Sequence, residues 1–189
     1  MKQLKFLFAF IATVALASCG TVGELSGTQS TEMSEAEKRQ QAELDSIRFE
    51  IAKEAVENHR FVIVADRISG KRGYSVNVNE TTNFVLVQGD KATVQFAIER
   101  GISGFNGLGG LTVEGSITKS EIKYDKKGNL NVTMFVLGSA ISADIQFRLP
   151  KNSTRCDATV TSTFYGGRLV FSGELHPYGT DIYQGVTLK

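Results

Sequence analysis

Leu130-Asn131-Val132-Thr133-Met134-Phe135-Val136 and Ile141-Ser142-Ala143-Asp144-Ile145-Gln146-Phe147-Arg148-Leu149 are two runs in which every second residue is apolar. Successive side chains of a strand point to opposite faces, so a period of two predicts a strand with one buried and one wet face. Leu130, Val132, Met134 and Val136 form one such face, and Ile141, Ala143, Ile145, Phe147 and Leu149 the next. No helix fits in the few residues between them, so the two strands are antiparallel neighbours.

The same period extends outward in both directions. Toward the C-terminus, Cys156 to Tyr165 and Arg168 to Leu175 flank Gly166-Gly167. Toward the N-terminus, Ile122 and Tyr124 precede the turn Lys126-Lys127-Gly128-Asn129, and Leu111, Val113 and Ile117 form a strand read as broken at Gly115. Val94, Phe96 and Ile98 pair back onto Phe84 to Val87 across Gln88-Gly89-Asp90-Lys91, a two-residue hairpin signal in which glycine takes positive φ. Tyr74, Val76 and Val78 alternate with polar residues, and Phe61 to Ile68 is rich in Val and Ile. The fold class is therefore all-β: an antiparallel meander of about nine or ten strands forming a barrel or a sandwich, preceded by one N-terminal helix.

That helix is announced by Ser34 and Glu37, the spacing of a capping box. Leu44, Ile47, Ile51 and Ala55 recur at three and four residues and predict the stripe that packs on the domain, with Asn58 as the stop.

Before the helix the chain reads as an address. Lys2 and Lys5 precede an apolar run from Phe6 to Ala17, about a dozen residues, long enough for a signal peptide and too short to span a bilayer. Leu16-Ala17-Ser18-Cys19 reads as a lipobox: cleavage between Ser18 and Cys19, then acylation of Cys19, with nearby cleavage by an ordinary signal peptidase as the alternative. Two or more acyl chains such as palmitate anchor a protein stably, at about 0.8 kcal/mol per buried methylene. The expected organisation is a signal peptide at residues 1–18, a lipidated flexible tether at 19–32, and a single β domain with its helix at 33–189. The residues after Cys19 carry no acidic cluster beyond Glu24, which by resemblance to lipoprotein sorting rules points to an outer-membrane anchor facing the periplasm.

Charge and cysteine usage remove several function classes. Of 189 residues, 21 are basic and 20 acidic, and loss of Lys2 and Lys5 leaves no basic surplus for nucleic acid. With Cys19 acylated, Cys156 has no partner in the chain, and its register with Ala158 and Val160 makes it a buried small hydrophobe. Only two histidines are present, His59 and His176, too few for a metal site at usual spacing. Ser103 and Ser139 lack the G-x-S-x-G context of a nucleophile elbow. Glu114 and Glu121 are an acid pair that adjacent strands could bring together. No catalytic residue, metal or cofactor is assigned.

The order of lipobox, Glu/Lys-rich helix, Phe61-Val62-Ile63-Val64-Ala65-Asp66, the Val87-Gln88-Gly89-Asp90 hairpin, a Gly-rich stretch ending at Gly109-Gly110, and Phe171-Ser172-Gly173-Glu174-Leu175-His176-Pro177 resembles the uncharacterised Bacteroidetes lipoproteins of the DUF4251 type. The resemblance runs from about Ala52 to the end. Phe96-Ala97-Ile98-Glu99-Arg100 stands where many relatives carry an aromatic-rich segment. What it implies is an envelope lipoprotein with one domain and no assigned activity.

Gly101 to Gly110 breaks the strand pattern. Five glycines in ten residues suit neither strand nor helix, and no Lys-Ser or Lys-Thr follows them as a phosphate cradle needs. Ile102, Phe105 and Leu108 are apolar residues in this loop and form the candidate binding loop. The expected function is a non-enzymatic envelope module binding a small apolar ligand. Gly115, Gly138, Ala143 and Gly173 are then inward positions that leave room for it. A protein-interaction or envelope-assembly module is the alternative, and an unrecognised hydrolase the third.

Overall fold

The structure, a computed structural model, describes residues 34–70, 73–97, 110–139, 142–162 and 167–179. Ser18, Cys19, the tether and the loop residues Ile102, Phe105 and Leu108 lie outside the described residues.

Helix α1 (Glu35–Glu57) begins at the capping box read from the sequence: Ser34 Oγ accepts from the Glu37 amide at 3.3 Å and Glu37 accepts from the Ser34 amide at 2.7 Å. It ends at Asn58, and His59 follows with φ 51°, the left-handed conformation that closes many helices. The strands are β1 (Arg60–Ser69), β2 (Ser75–Asn77), β3 (Phe84–Gln88), β4 (Lys91–Ala97), β5 (Gly110–Tyr124), β6 (Leu130–Leu137), β7 (Ser142–Leu149), β8 (Arg155–Ser162) and β9 (Gly167–Pro177).

All pairings are antiparallel and follow chain order from β3 to β9. β1 bonds β3 along one edge and β9 along the other, so eight strands close into a barrel, with the short β2 beside the second half of β1. Closure decides between the two architectures the alternation left open: this is a barrel. It depends on Gly173. A Cβ there would sit 1.8 Å from the carbonyl oxygen of Val64, so β1 and β9 approach each other only because the side chain is a hydrogen atom. The register also shifts between Ala65 and Arg67, a bulge that turns Asp66 outward to meet Arg155 with a two-pronged ion pair at 2.7 and 2.9 Å.

Three expectations are corrected. β5 is not broken at Gly115: it runs continuously, pairing β4 as far as Ser116 and β6 from Ser116 onward, with a bulge between Ile117 and Lys119. Gly115 and Gly173 leave no room for a ligand, since a Cβ on Gly115 would lie 2.7 Å from Val136. The inward side chains, among them Phe61, Ile63, Phe96, Met134, Ile145, Phe147 and Phe171, form one packed core.

The third correction concerns the helix. It packs against β1 and β9 through Phe49, Ala52, Ala55 and Val56, which join the barrel core. Of the stripe expected there, only Ala55 is buried; Leu44, Ile47 and Ile51 are 41%, 52% and 50% exposed. Phe49 and Val56 bring the larger apolar side chains, each worth roughly 1.5–3 kcal/mol on burial.

The helix therefore covers one end of the barrel. The β5–β6 and β7–β8 turns belong to that end and are tied together by Asn129, whose amide donates to Asp125 at 2.6 Å and whose oxygen accepts from Lys151 N at 2.9 Å. Asp125 also accepts from the backbone amides of Lys127 and Asn129 and from Arg148. Those donors hold its carboxyl down at about 2, the Asn129 side chain first among them. Cys156 faces inward as expected, and burial pushes its thiol up to about 12.

Candidate functional site

The other end of the barrel, the rim, carries a cleft on its β5–β9 side. The cleft, of about 990 Å³, takes in both faces of the last rungs of β5 to β9. Its first row runs straight across five strands: Lys119 opposite Phe135, Phe135 opposite Asp144, Asp144 opposite Thr161, Thr161 opposite Arg168. Phe135, Asp144, Thr161 and Arg168 point outward by strand alternation, and the β5 bulge moves Lys119 onto the same face. Phe135 and Leu137 are exposed there, at 42% and 58%.

The row is chemically uneven. Lys119 Nζ sits 5.9 Å from the Phe135 ring centroid, a cation–π contact. Arg168 donates to Thr159 Oγ1 at 3.3 Å. Asp144 differs from both: its Oδ1 is shielded from solvent and has no hydrogen-bond partner among the described residues. An enclosed polar oxygen without a donor costs roughly 1–3 kcal/mol, which a bound donor would recover. Strand spacing of about 4.8 Å puts Lys119 and Arg168 each roughly 10 Å to either side of it.

Sequence reasoning missed this site, although alternation alone put Asp144 on the wet face. Register was needed to set Phe135 beside it. The acid pair Glu114 and Glu121 does not form, because both stand on β5; Glu121 pairs with Lys123 at 2.7 Å and Glu114 accepts from Thr93 at 3.4 Å.

A second missed constellation lies at the helix end, where His59 Nε2 and Ser120 Oγ are 3.0 Å apart. That is nucleophile–base distance, but a triad also needs an acid on the other ring nitrogen. The nearby Glu57 is engaged with the hydroxyl of Tyr124 instead. With His59 in the capping position, the pair reads as the tie between helix exit and β5. His176 stands 3.7 Å from Glu174 in a cleft of about 580 Å³ beside the helix, its pKa lowered chiefly by burial. Among the described residues no three His, Cys, Asp or Glu side chains gather to hold a metal. Among them, too, no helix is long and apolar enough to cross a membrane.

The closure of β1 on β9 and the helix over one end define a helix-plugged, eight-stranded antiparallel β-barrel protein. The chain belongs to the family described as "Domain of unknown function (DUF4251)", whose model matches residues 43–175. That span opens six residues before Phe49 and closes at the core residue Leu175. The fold is similar to the crystal structure of a DUF4251 family protein from Bacteroides eggerthii, with a TM-score of 0.62 and 32% identity over 72% of this chain and 91% of that one. No curated protein matches.

Proposed function

We propose that this protein is a non-enzymatic binding module, anchored by lipid on Cys19 in the cell envelope and facing the periplasm from the outer membrane. Its ligand is a small apolar molecule bearing one hydrogen-bond donor, held in the rim cleft rather than inside the barrel. The observation that carries this reading is the enclosed Oδ1 of Asp144, without a partner among the described residues, beside the exposed Phe135 and Leu137. An apolar wall with one placed polar group is the usual chemistry of a small-molecule site, and the cleft's size falls within the usual range. The packed interior argues against the expectation from the sequence that the ligand sits among the inward side chains of the barrel.

Native mass spectrometry of the exported chain, before and after organic extraction, tests the ligand. The expected result is an extractable mass present in the wild type and reduced in Asp144→Asn and Phe135→Ser. A bare chain mass, or an adduct indifferent to both substitutions, would sink the rim assignment. Anchoring is tested by feeding cells a labelled palmitate analogue: Cys19→Ala should abolish its incorporation and release the protein from membranes.

A further inference from the structure

We propose that the exposed apolar stripe of α1 is a docking surface for a basic amphipathic segment of another protein. Leu44, Ile47 and Ile51 stand at helical spacing and are about half exposed, with Ile51 at the edge of the cleft beside the barrel, while the residues the helix buries in the barrel core are Phe49, Ala52, Ala55 and Val56. The apolar pattern that made the helix recognisable in the sequence is thus largely unused by this chain.

Charge decides what fits it. Glu43, Glu50 and Glu54 lie four residues before and three and seven residues after Ile47, so they flank the stripe along one side. Glu50 pairs with Lys53 at 2.8 Å, whereas Glu43 and Glu54 have no ion-pair partner among the described residues. Over its length the helix carries seven carboxylates against four cations. Two copies packed antiparallel through this stripe would set these acidic flanks against each other. An anionic lipid surface would meet the same repulsion. A helix with an apolar stripe and lysines or arginines beside it satisfies both features at once.

The full chain is tested against three peptides about five turns long, sharing one Leu/Ile stripe but carrying a lysine, glutamate or glutamine polar face. Fluorescence anisotropy should give about tenfold tighter binding of the lysine peptide than of the glutamate peptide, weakening as salt rises from about 0.05 to 0.5 M. Ile47→Glu should weaken it about tenfold or more without shifting the melting temperature, because Ile47 is not in the core. The double variant Glu43→Lys/Glu54→Lys should erase the preference while keeping the stripe. Equal binding of all three peptides, no binding, or indifference to Ile47→Glu overturns the proposal. So does self-association of the chain in sedimentation that Ile47→Glu removes, which would make the partner a second copy. Binding to phosphatidylglycerol vesicles that Ile47→Glu removes would overturn it in favour of a membrane surface.

Discussion

At the helix end of the barrel, turns, helix exit and strand ends are bonded to one another: Asn129 to Asp125 and Lys151, His59 to Ser120, Tyr124 to Glu57. At the rim, Asn83 makes comparable ties on one side, accepting from Ala97 N at 2.7 Å and donating to Asn79 O at 2.8 Å. Across the other side of the rim, β5 to β9 present exposed Phe135 and Leu137 and an Asp144 oxygen with no hydrogen-bond partner among the described residues. Both ends are made by the same strands, so the difference is not one of fold. Polar groups that are satisfied and apolar groups that are covered contribute to stability; those left open at the rim do not.

Substitutions can break this contrast. The largest effect is expected at neither end but at the closure both depend on. Gly173→Val should keep the ring from closing at all, because its side chain must displace the Val64 backbone, and the check is failure to recover folded, soluble protein. Next comes the pair Phe49→Ala and Phe135→Ser. The first removes a buried ring under the helix and should cost about 3–5 kcal/mol. The second, at the exposed rim, should stay within about 0.5 kcal/mol. If Phe135→Ser destabilises as much as Phe49→Ala, the rim is structural and the contrast fails.

The smallest effect concerns acid. The folded pKa of Asp125 is about 2, below its ordinary 3.8, so the unfolded state binds a proton first as pH falls. Its contribution is complete above about pH 4 and is lost as pH drops through 3.8 toward about 2. Melting curves across that window should converge for wild type and Asp125→Asn, while at pH 6 the wild type melts higher. Curves that stay parallel would mean the Asn129–Asp125 tie adds nothing at this end.

Much of the fold was legible because local rules carried it. Ser34 and Glu37 made the cap, Gln88 to Lys91 made the β3–β4 hairpin, and alternation through β6 and β7 assigned the inward faces correctly. The misreadings share one cause: periodicity tells which residues share a face, not what that face meets. Leu44, Ile47 and Ile51 do share a face, but Phe49 and Val56, on another, are closer to the core. Gly173 reads as an absent side chain, and only the approach of Val64 explains why it is absent. The bulge at Ile117 has no local signature; it resets the alternation so that Ser120, Ile122 and Tyr124 take the face that Val113 and Ile117 hold before it. Without that reset Lys119 cannot be placed beside Phe135, and the rim row stays hidden.

The pairing of β1 with β9 has a consequence in time. Each hairpin from β3 to β9 joins neighbours in the chain, whereas Phe61 must find Pro177 and Ser69 must find Val170. Loop-closure entropy makes that contact the slow one, so the hairpins form ahead of the ring. A chain emerging from synthesis cannot complete its barrel until β9 has emerged as well. Until then β1 keeps an unpaired apolar edge, the condition in which a holding chaperone would recognise it.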